Sequence, residues 1–303
     1  MNSQKKDLLN KLTIFRRLVI IAIFSNDELH NLFSLKGGSA LDLIYKITYR
    51  TSIDIDIAMK DDIPDTEFEH IKEILFTALQ ETFNEYETPY SIFDFKFERR
   101  PFKENREKKQ FWGGYKVEFK IKEGLLSSIN NQDPQRLSRE AEVTNLSQGK
   151  KFEIDISKFE FIDKSETYSL DDYQIRVYTL EMIIYEKLRA LCQKLPNYKY
   201  AHREINARPK DFYDIFMIIK KQPHLNFEKL DLSLLKTIFE QKEVPLEFLF
   251  KLKDFKRELF DEGVAQLKET FINQELDEFK ADDVFNFVIK GIENIPNINS
   301  IKK

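Results

Sequence analysis

The sequence predicts an α+β protein: a mixed β-sheet with helices, followed by a mostly helical C-terminal region. Alternating apolar and polar residues, typical of half-buried strands, occupy residues 91–99, 115–121 and 152–156. Apolar residues at helical spacing mark helices at 3–24 and 67–85, and every pattern after residue 227 is helical. We therefore expect two domains. These are 1–165, the sheet-containing core with its N-terminal helix, and 166–303, the mainly helical part.

Composition excludes several classes of protein. The 303 residues are 42% hydrophobic and 33% charged, which indicates a globular chain, and the net charge of −4 means that nucleic-acid binding would need local basic patches. A single cysteine, Cys192, excludes an intramolecular disulfide, and four scattered histidines argue against a zinc site. The longest apolar run near the N-terminus, 18–24, is too short to span a bilayer, so we expect a cytoplasmic protein without a membrane segment.

A glycine turn organises the first domain. Residues 33–35 predict a short buried strand, and Gly37 and Gly38 then turn the chain, because glycine takes positive φ freely and lets a ligand approach closely. Ser39 is expected to open a helix that runs to Tyr49. This arrangement would place backbone N–H groups and a hydroxyl where a phosphate can bind.

The strand that follows carries two aspartates. Residues 53–59 alternate, so Asp54 and Asp56 share one face of the predicted strand while the isoleucines between them pack on the other. Mg²⁺ prefers oxygen ligands and is usually held by one or two carboxylates plus substrate phosphates. The alternative interpretation is an exposed strand edge with two solvated aspartates. The neighbouring glycine turn favours a nucleotide–metal site.

Two charged residues in the second domain and one basic stretch are weaker candidates. Lys187 lies at the margin of the apolar stripe of a helix that Thr179 would cap, where a lysine usually reaches past the stripe to solvent. Asp211 lies in the first turn of a helix beginning at Pro209, where the helix dipole favours a carboxylate whatever its function. The basic stretch 99–109 is either a solvated surface run or a contact for a polyanion.

Three strings in the sequence resemble the motifs of the AbiEii/AbiGii toxin family, which are nucleotidyltransferases of the polymerase-β-like superfamily. The first is Leu35-Lys36-Gly37-Gly38-Ser39-Ala40-Leu41 with Arg50-x-Ser52-x-Asp54-x-Asp56. The segment 185–191 resembles the family's second motif, whose lysine is required for catalysis, and 207–215 resembles Arg-x-Lys/Arg-Asp-x-Tyr-Asp. The resemblance covers about residues 30–220 and implies a polymerase-β-like core.

The resemblance also assigns roles to individual residues. It implies nucleotide binding by the first motif, that is, by Gly37, Gly38, Ser39, Arg50 and Ser52. It implies catalytic roles for Asp54, Asp56, Lys187 and Asp211, with Lys187 and Asp211 close together and facing the same cleft as Asp54. The metal, Mg²⁺ or Mn²⁺, would be bound by Asp54, Asp56 and a third carboxylate on a neighbouring strand, with Asp155 the first choice and Glu118 the second.

The resemblance further implies a function and partners. The protein would be a toxin of a toxin–antitoxin or abortive-infection system, neutralised by a cognate antitoxin protein. It would transfer a nucleotide from an NTP to the 3′ end of tRNA, which would block aminoacylation and stop growth. Nothing in the sequence selects the base. Two alternatives stay open: nucleotidyl transfer to a protein hydroxyl, and a nucleotide-binding regulator without turnover.

Overall fold

A computed structural model describes residues 3–101, 113–125, 133–200, 208–254, 257–271 and 280–295. The chain divides into two compact units. The first comprises Met1–Ile44 with Ser52–Val177, and the second comprises Tyr45–Thr51 with Tyr178–Lys303. The division after Val177 falls twelve residues beyond the boundary expected near residue 165. The second unit also takes a short segment from the N-terminal half of the chain, which the sequence did not predict.

A seven-stranded mixed sheet forms the centre of the first unit. Its strands are β1 Phe33–Lys36, β2 Ile55–Met59, β3 Tyr90–Arg100, β4 Gly114–Glu123, β5 Phe152–Ser157, β6 Glu166–Leu170 and β7 Tyr173–Val177. They lie in the order β3-β4-β5-β2-β1-β7-β6. The pairs β2–β5 and β1–β7 are parallel and the others are antiparallel. The mixed sheet confirms the predicted α+β class.

Alternation along the central strands separates an apolar face from a polar one. Leu35 pairs with Ile57, and Ile57 pairs with Ile156, so these three side chains line one face. They are almost completely excluded from solvent. Asp56 and Asp155, each one position away, occupy the opposite face. The predicted segregation of isoleucines from aspartates is therefore confirmed.

Besides the sheet, the described part of the first unit contains α-helices. They are α1 Ser3–Ser25, α2 Asp27–Leu32, α3 Gly37–Ser39, α4 Phe68–Glu85 and α5 Pro134–Glu140, and α3 continues as a π-helix over Ala40–Ile44. Aromatic rings connect the layers: Phe83 of α4 lies 6.0 Å from Phe15 of α1 and 6.1 Å from Phe119 of β4, between ring centroids. The helices predicted at 3–24 and 67–85 are confirmed within one residue at each end.

The helix predicted from Ser39 to Tyr49 is too long. The helical segment ends at Ile44, and Lys46 has a positive φ of 53° that no helix accommodates. The following residues belong to the second unit, where the Tyr45 hydroxyl donates to the Tyr178 carbonyl at 2.7 Å. Contacts made outside the helix, rather than a local breaker, determine where it ends.

Helices make up the described part of the second unit. The α-helices are α6 Leu180–Cys192, α7 Pro209–Lys221, α8 Leu232–Glu240, α9 Arg257–Glu269 and α10 Ala281–Glu293, with 3₁₀ turns at Pro223–Leu225, Phe227–Lys229 and Leu246–Asp254. The α6 helix packs on α7 and α8, and α7 packs on α9 and α10. Thr179 caps α6 as predicted, since its hydroxyl accepts the N–H of Met182 at 3.2 Å. The patterns after residue 227 were all expected to be helical, and one of them, Leu246–Asp254, forms a 3₁₀ rather than an α-helix.

Strand β6 was not predicted. It pairs only with β7, as the last strand of the sheet, and four of its five residues are not buried. An edge strand with little buried surface shows no clear apolar alternation, which is why its sequence pattern does not predict β6. Across the described residues, no helix combines the length and apolar character needed to cross a membrane.

Candidate functional site

Asp56 and Asp155 lie side by side on the polar face of the sheet. They are register partners on the parallel strands β2 and β5, and neighbouring strands are about 4.8 Å apart. The same row continues to Lys36, which pairs with Asp56, and to Lys116, which pairs with Asp155. Asp54 stands immediately before β2 and is exposed. The sheet thus presents two adjacent carboxylates with a lysine at each end of the row.

Negative charge is crowded around Asp155. The pKa of its carboxyl is raised above the usual value by desolvation and by the carboxylates of Glu153 and Asp54, while Lys116 and Arg100 act in the opposite direction. Because the side chain is exposed, the neighbouring carboxylates outweigh desolvation as the cause of the raised pKa. A cation bound near these groups would relieve their mutual repulsion.

The chemistry of this row fits a hard divalent cation. Asp54 and Asp56 offer oxygen donors, and Mg²⁺ or Mn²⁺ needs only one or two protein carboxylates when substrate phosphates supply further ligands. Among the described residues, no three Asp, Glu, His or Cys side chains converge closely enough to hold an ion by themselves. The predicted set of Asp54, Asp56 and Asp155 is therefore not gathered into a closed cage. The metal role of each carboxylate stays a prediction.

The glycine turn lies directly against the Asp56 carboxylate. Gly37 has a φ of +71°, and a Cβ added there would collide with Asp56 Oδ2 and approach Asp56 Cγ to 3.1 Å. Ser39 is fully buried, and its hydroxyl donates to the Asp54 carbonyl at 2.7 Å. The Ser52 hydroxyl approaches the same carbonyl at 3.4 Å. The turn therefore positions the two aspartates, and the phosphate role predicted for the Ser39 hydroxyl is untested.

A second group of charged residues is buried within the second unit. Lys187 Nζ lies 3.1 Å from Asp211 Oδ1 and 2.7 Å from Asp214 Oδ2. The Arg50 guanidinium forms a bidentate contact with the Asp214 carboxylate: Nε donates to Oδ1 at 2.8 Å, and Nη2 donates to Oδ2. Arg208 Nε pairs with Asp211 Oδ2. The expected proximity of Lys187 and Asp211 is thus observed. We call these five residues the ionic cluster.

Opposite charges, not burial, dominate the electrostatics of the ionic cluster. Burial would lower the pKa of Lys187, but Asp214 and Asp211 raise it above the ordinary lysine value. Burial would likewise raise the pKa of Asp211, but Arg208 and Lys187 bring it to about 2. Against its own burial, Asp214 has its pKa lowered by Arg50 and Lys187. All these groups are therefore charged at neutral pH.

Exposure differs among the members of the ionic cluster. The side chains of Lys187, Asp211, Asp214 and Arg50 are at most 5% exposed, whereas that of Arg208 is 41% exposed. Asp214, at 0%, is the most completely buried. The cluster thus has a closed side, where Arg50 and Asp214 lie, and a solvent-exposed side at Arg208.

Arg50 and Glu118 lie in surroundings other than those expected from the sequence. Arg50 was expected to bind nucleotide, but it belongs to the second unit and its guanidinium is occupied by Asp214. Glu118, the second choice for a third metal ligand, bonds Lys116 at 2.8 Å and Lys151 at 3.3 Å, and these lysines lower its pKa to about 2. Glu118 is on β4, one strand further from Asp56 than Asp155 is. The geometry favours Asp155 over Glu118.

Much of the predicted basic surface lies outside the described residues. Lys103, Arg106, Lys108 and Lys109 belong to the segment 102–112. Arg99 is described: it pairs with Asp65 at 2.6 Å and stacks 4.5 Å above the Phe68 ring. A role of these residues in binding a polyanion stays a prediction.

Sequence reasoning missed two members of the ionic cluster, Asp214 and Arg208. Asp214 follows Asp211 by three residues on α7, so both carboxylates project from the same side of the helix. Both missed residues lie in the string that resembles the third motif. The signal was the helical spacing of the two aspartates, which would have placed Asp214 beside any partner of Asp211.

Comparison with known proteins identifies the family. The model of the family described as "Nucleotidyl transferase AbiEii toxin, Type IV TA system" matches residues 19–289. No curated protein matches the chain. One solved structure, an antigenic nucleotidyltransferase-like protein from Paracoccidioides brasiliensis, is similar at 15% identity, with 92% of this chain and 99% of that chain covered and a TM-score of 0.34. That similarity is too distant to transfer any residue's role.

Proposed function

Because this chain belongs to the AbiEii family of nucleotidyltransferase toxins of type IV toxin–antitoxin systems, we propose that it transfers a nucleotidyl group from an NTP to the 3′ end of tRNA. Family membership itself indicates an enzyme that uses a nucleotide and has an antitoxin partner. The tRNA acceptor, the metal dependence and a cytoplasmic location are our proposals.

The observation that supports catalysis most directly is the pairing of Asp56 with Asp155 beneath the Gly37 turn. Carboxylates on neighbouring parallel strands form a rigid pair, because both backbones are fixed by the same ladder of hydrogen bonds. The missing side chain at Gly37 lets the Asp56 carboxylate lie directly against the turn. Such a surface suits a triphosphate whose charge is shared with a metal.

In the proposed reaction, the acceptor hydroxyl displaces pyrophosphate from the α-phosphate of the NTP. Mg²⁺ or Mn²⁺ would be held by Asp54 and Asp56, with Asp155 as the third candidate ligand, and when bound it would neutralise charge on the phosphates and favour deprotonation of the hydroxyl. The Gly37–Ser39 turn would keep the two aspartates in place through the Ser39–Asp54 hydrogen bond. Lys187 would contribute positive charge to the phosphates.

A net charge of −4 is compatible with an RNA acceptor. Phosphate-backbone affinity depends on cations clustered at the contact surface, not on the net charge of the protein. The stretch 99–109, with six lysines and arginines, is the proposed contact. Replacing three or four of these by glutamine should weaken tRNA use and flatten its dependence on salt, while NTP binding persists.

Incorporation of labelled nucleotide tests the proposal. The purified protein is incubated with each of the four α-labelled NTPs and Mg²⁺ or Mn²⁺, with either bulk tRNA or cell protein as acceptor. We expect label on the 3′ end of tRNA, lost on chelation of the metal and in Asp56→Asn. Asp163→Asn is the matched control, because it also neutralises a first-unit carboxylate, and among the described residues this exposed side chain pairs with the Lys60 ammonium.

The incorporation experiment distinguishes transfer to tRNA from the two alternatives. Label on protein and none on tRNA would replace the tRNA proposal by transfer to a protein hydroxyl. Binding of NTP with no transfer to either acceptor would indicate a regulator without turnover. Full activity of Asp56→Asn would contradict the metal site itself.

A further inference from the structure

We infer that Asp214 is a positioning residue: together with Arg50 it fixes the ammonium group of Lys187. Asp211, the other carboxylate on Lys187, is the one whose ion pairs can change when a ligand binds. The inference rests on the proposed function only in so far as Lys187 takes part in transfer. Nothing in the family match assigns a role to Asp214 or links it to Arg50.

The first argument is geometric. Both carboxylate oxygens of Asp214 have partners. Arg50 donates to Oδ1, and both Arg50 and Lys187 contact Oδ2. A guanidinium that grips a carboxylate with two nitrogens fixes its plane as well as its position. With its plane fixed, Asp214 can hold the Lys187 Nζ at 2.7 Å in only one direction. The contact to Asp211 is longer, at 3.1 Å.

The second argument is exposure. Asp214 is completely buried and Arg50 nearly so. Breaking the Arg50–Asp214 pair would therefore leave an unpaired charge away from water. Asp211 instead has Arg208 as its other partner, and that side chain is 41% exposed. An anionic ligand can therefore compete for Arg208 from solvent, which changes the surroundings of Asp211 while the Arg50–Asp214 pair stays intact.

The third argument concerns the charge of Lys187. The groups that act on it are Asp214 and Asp211 on α7, Arg50 on the 45–51 segment and Glu186 on its own helix. Asp214 is the strongest of the attractive charges and Arg50 opposes them. Removing Asp214 should therefore lower the pKa of Lys187, and removing Arg50 should raise it. These opposite shifts test the contacts of Lys187 in solution, and the rate of transfer tests whether those contacts position it for the reaction.

The test measures the titration of Lys187 and the rate of transfer in the same variants. The protein is labelled with ¹³C at lysine Cε, the Lys187 signal is assigned from Lys187→Arg, and its titration is followed in the wild type, Asp214→Asn and Arg50→Met. We expect the apparent pKa to fall in Asp214→Asn and to rise in Arg50→Met. We also expect kcat of Asp214→Asn to fall about tenfold to hundredfold, as for other residues that orient a reactive group, with little change in KM for the NTP.

Two further variants keep the inference testable if Asp214→Asn does not fold. Arg50→Met/Asp214→Asn removes one charge of each sign, so the buried charge stays balanced, yet Lys187 still loses Asp214. It should fold and show the low kcat. Asp214→Glu keeps the charge and should restore part of the rate.

Unchanged Lys187 titration and kcat in the variants lacking Asp214 would overturn the inference, as would shifts in the same direction for Asp214→Asn and Arg50→Met. If the wild type transfers nucleotide to no acceptor, the proposed function fails. The titration then still shows whether Asp214 and Arg50 act on the charge of Lys187, so the two failures are distinguishable.

Discussion

Gly37→Ala tests whether the glycine turn exists to make room for the Asp56 carboxylate. The substitution adds one methyl group, but its Cβ would collide with Asp56 Oδ2 and lie 3.1 Å from Asp56 Cγ. Carbon atoms in contact are normally about 3.5–4.0 Å apart, so the carboxylate must move by roughly 0.5–1 Å. The φ of +71° adds a backbone cost of about 1–2 kcal/mol for any residue with a Cβ.

These two effects predict different observables. The backbone cost should lower the free energy of unfolding by about 1–2 kcal/mol, and by more if the Asp56 side chain resists displacement. The displaced carboxylate should lower nucleotide transfer by about a hundredfold, since a misplacement of about 1 Å at a reactive group costs that much. Urea unfolding measures the first effect, and incorporation of labelled nucleotide measures the second.

Two variants serve as comparisons. Gly38→Ala adds the same methyl group at the next position, where the backbone is helical, so its free energy of unfolding should be unchanged or raised by about 0.5–1 kcal/mol. In an Asp56→Ala background, Gly37→Ala should cost less than in the wild type, because the colliding carboxylate is gone. A Gly37→Ala protein as stable and as active as the wild type would refute the reasoning.

Three further predictions follow from the two units. Asp211 has a folded pKa of about 2 against an ordinary value of 3.8, so the unfolded state binds more protons and stability rises with pH. The Asp211 carboxylate should contribute about 2 kcal/mol to the free energy of unfolding above pH 4, and this contribution is lost as the pH falls through 2. Urea unfolding from pH 2 to 6 should show that the free energy of unfolding depends less on pH in Asp211→Asn than in the wild type. Asp56→Asn should abolish transfer yet leave the melting temperature unchanged or higher, since it relieves repulsion among crowded carboxylates. Expression of the wild type without an antitoxin should slow growth and Asp56→Asn should not, so equal growth inhibition by both would contradict a catalytic toxin.

The sheet was predictable because apolar and polar residues alternate along several of its strands. Ile55 and Ile57 on β2, and Ile154 and Ile156 on β5, alternate with charged residues that remain on the polar face. A shift of register by one residue would bury the aspartates, so the pattern determines which face each side chain occupies. Before the structure, Asp155 was expected only to lie on a strand next to that of Asp56. The register that makes them partners came from the structure.

Boundaries set by tertiary contacts were not predictable. The helix after Gly37 ends at Ile44 although residues 45–49 contain no proline or glycine. The segment instead leaves the helix to join the second unit, where Arg50 forms a β-bridge with Phe271 and the Thr51 N–H donates to the Thr270 carbonyl at 2.9 Å. Local propensity carries no information about partners more than 200 residues away in sequence.

Arg50 shows that residues close together in one motif can belong to different units. It stands four residues before Asp54 in the first motif, and the family resemblance implies that both serve a nucleotide site. Yet the chain passes from the second unit to the first between Thr51 and Ser52. One motif thus supplies an arginine to the ionic cluster and two aspartates to the sheet. In the structure the Arg50 guanidinium pairs with Asp214, and Asp214 contacts Lys187. The nucleotide role that the resemblance implies for Arg50 stays a prediction.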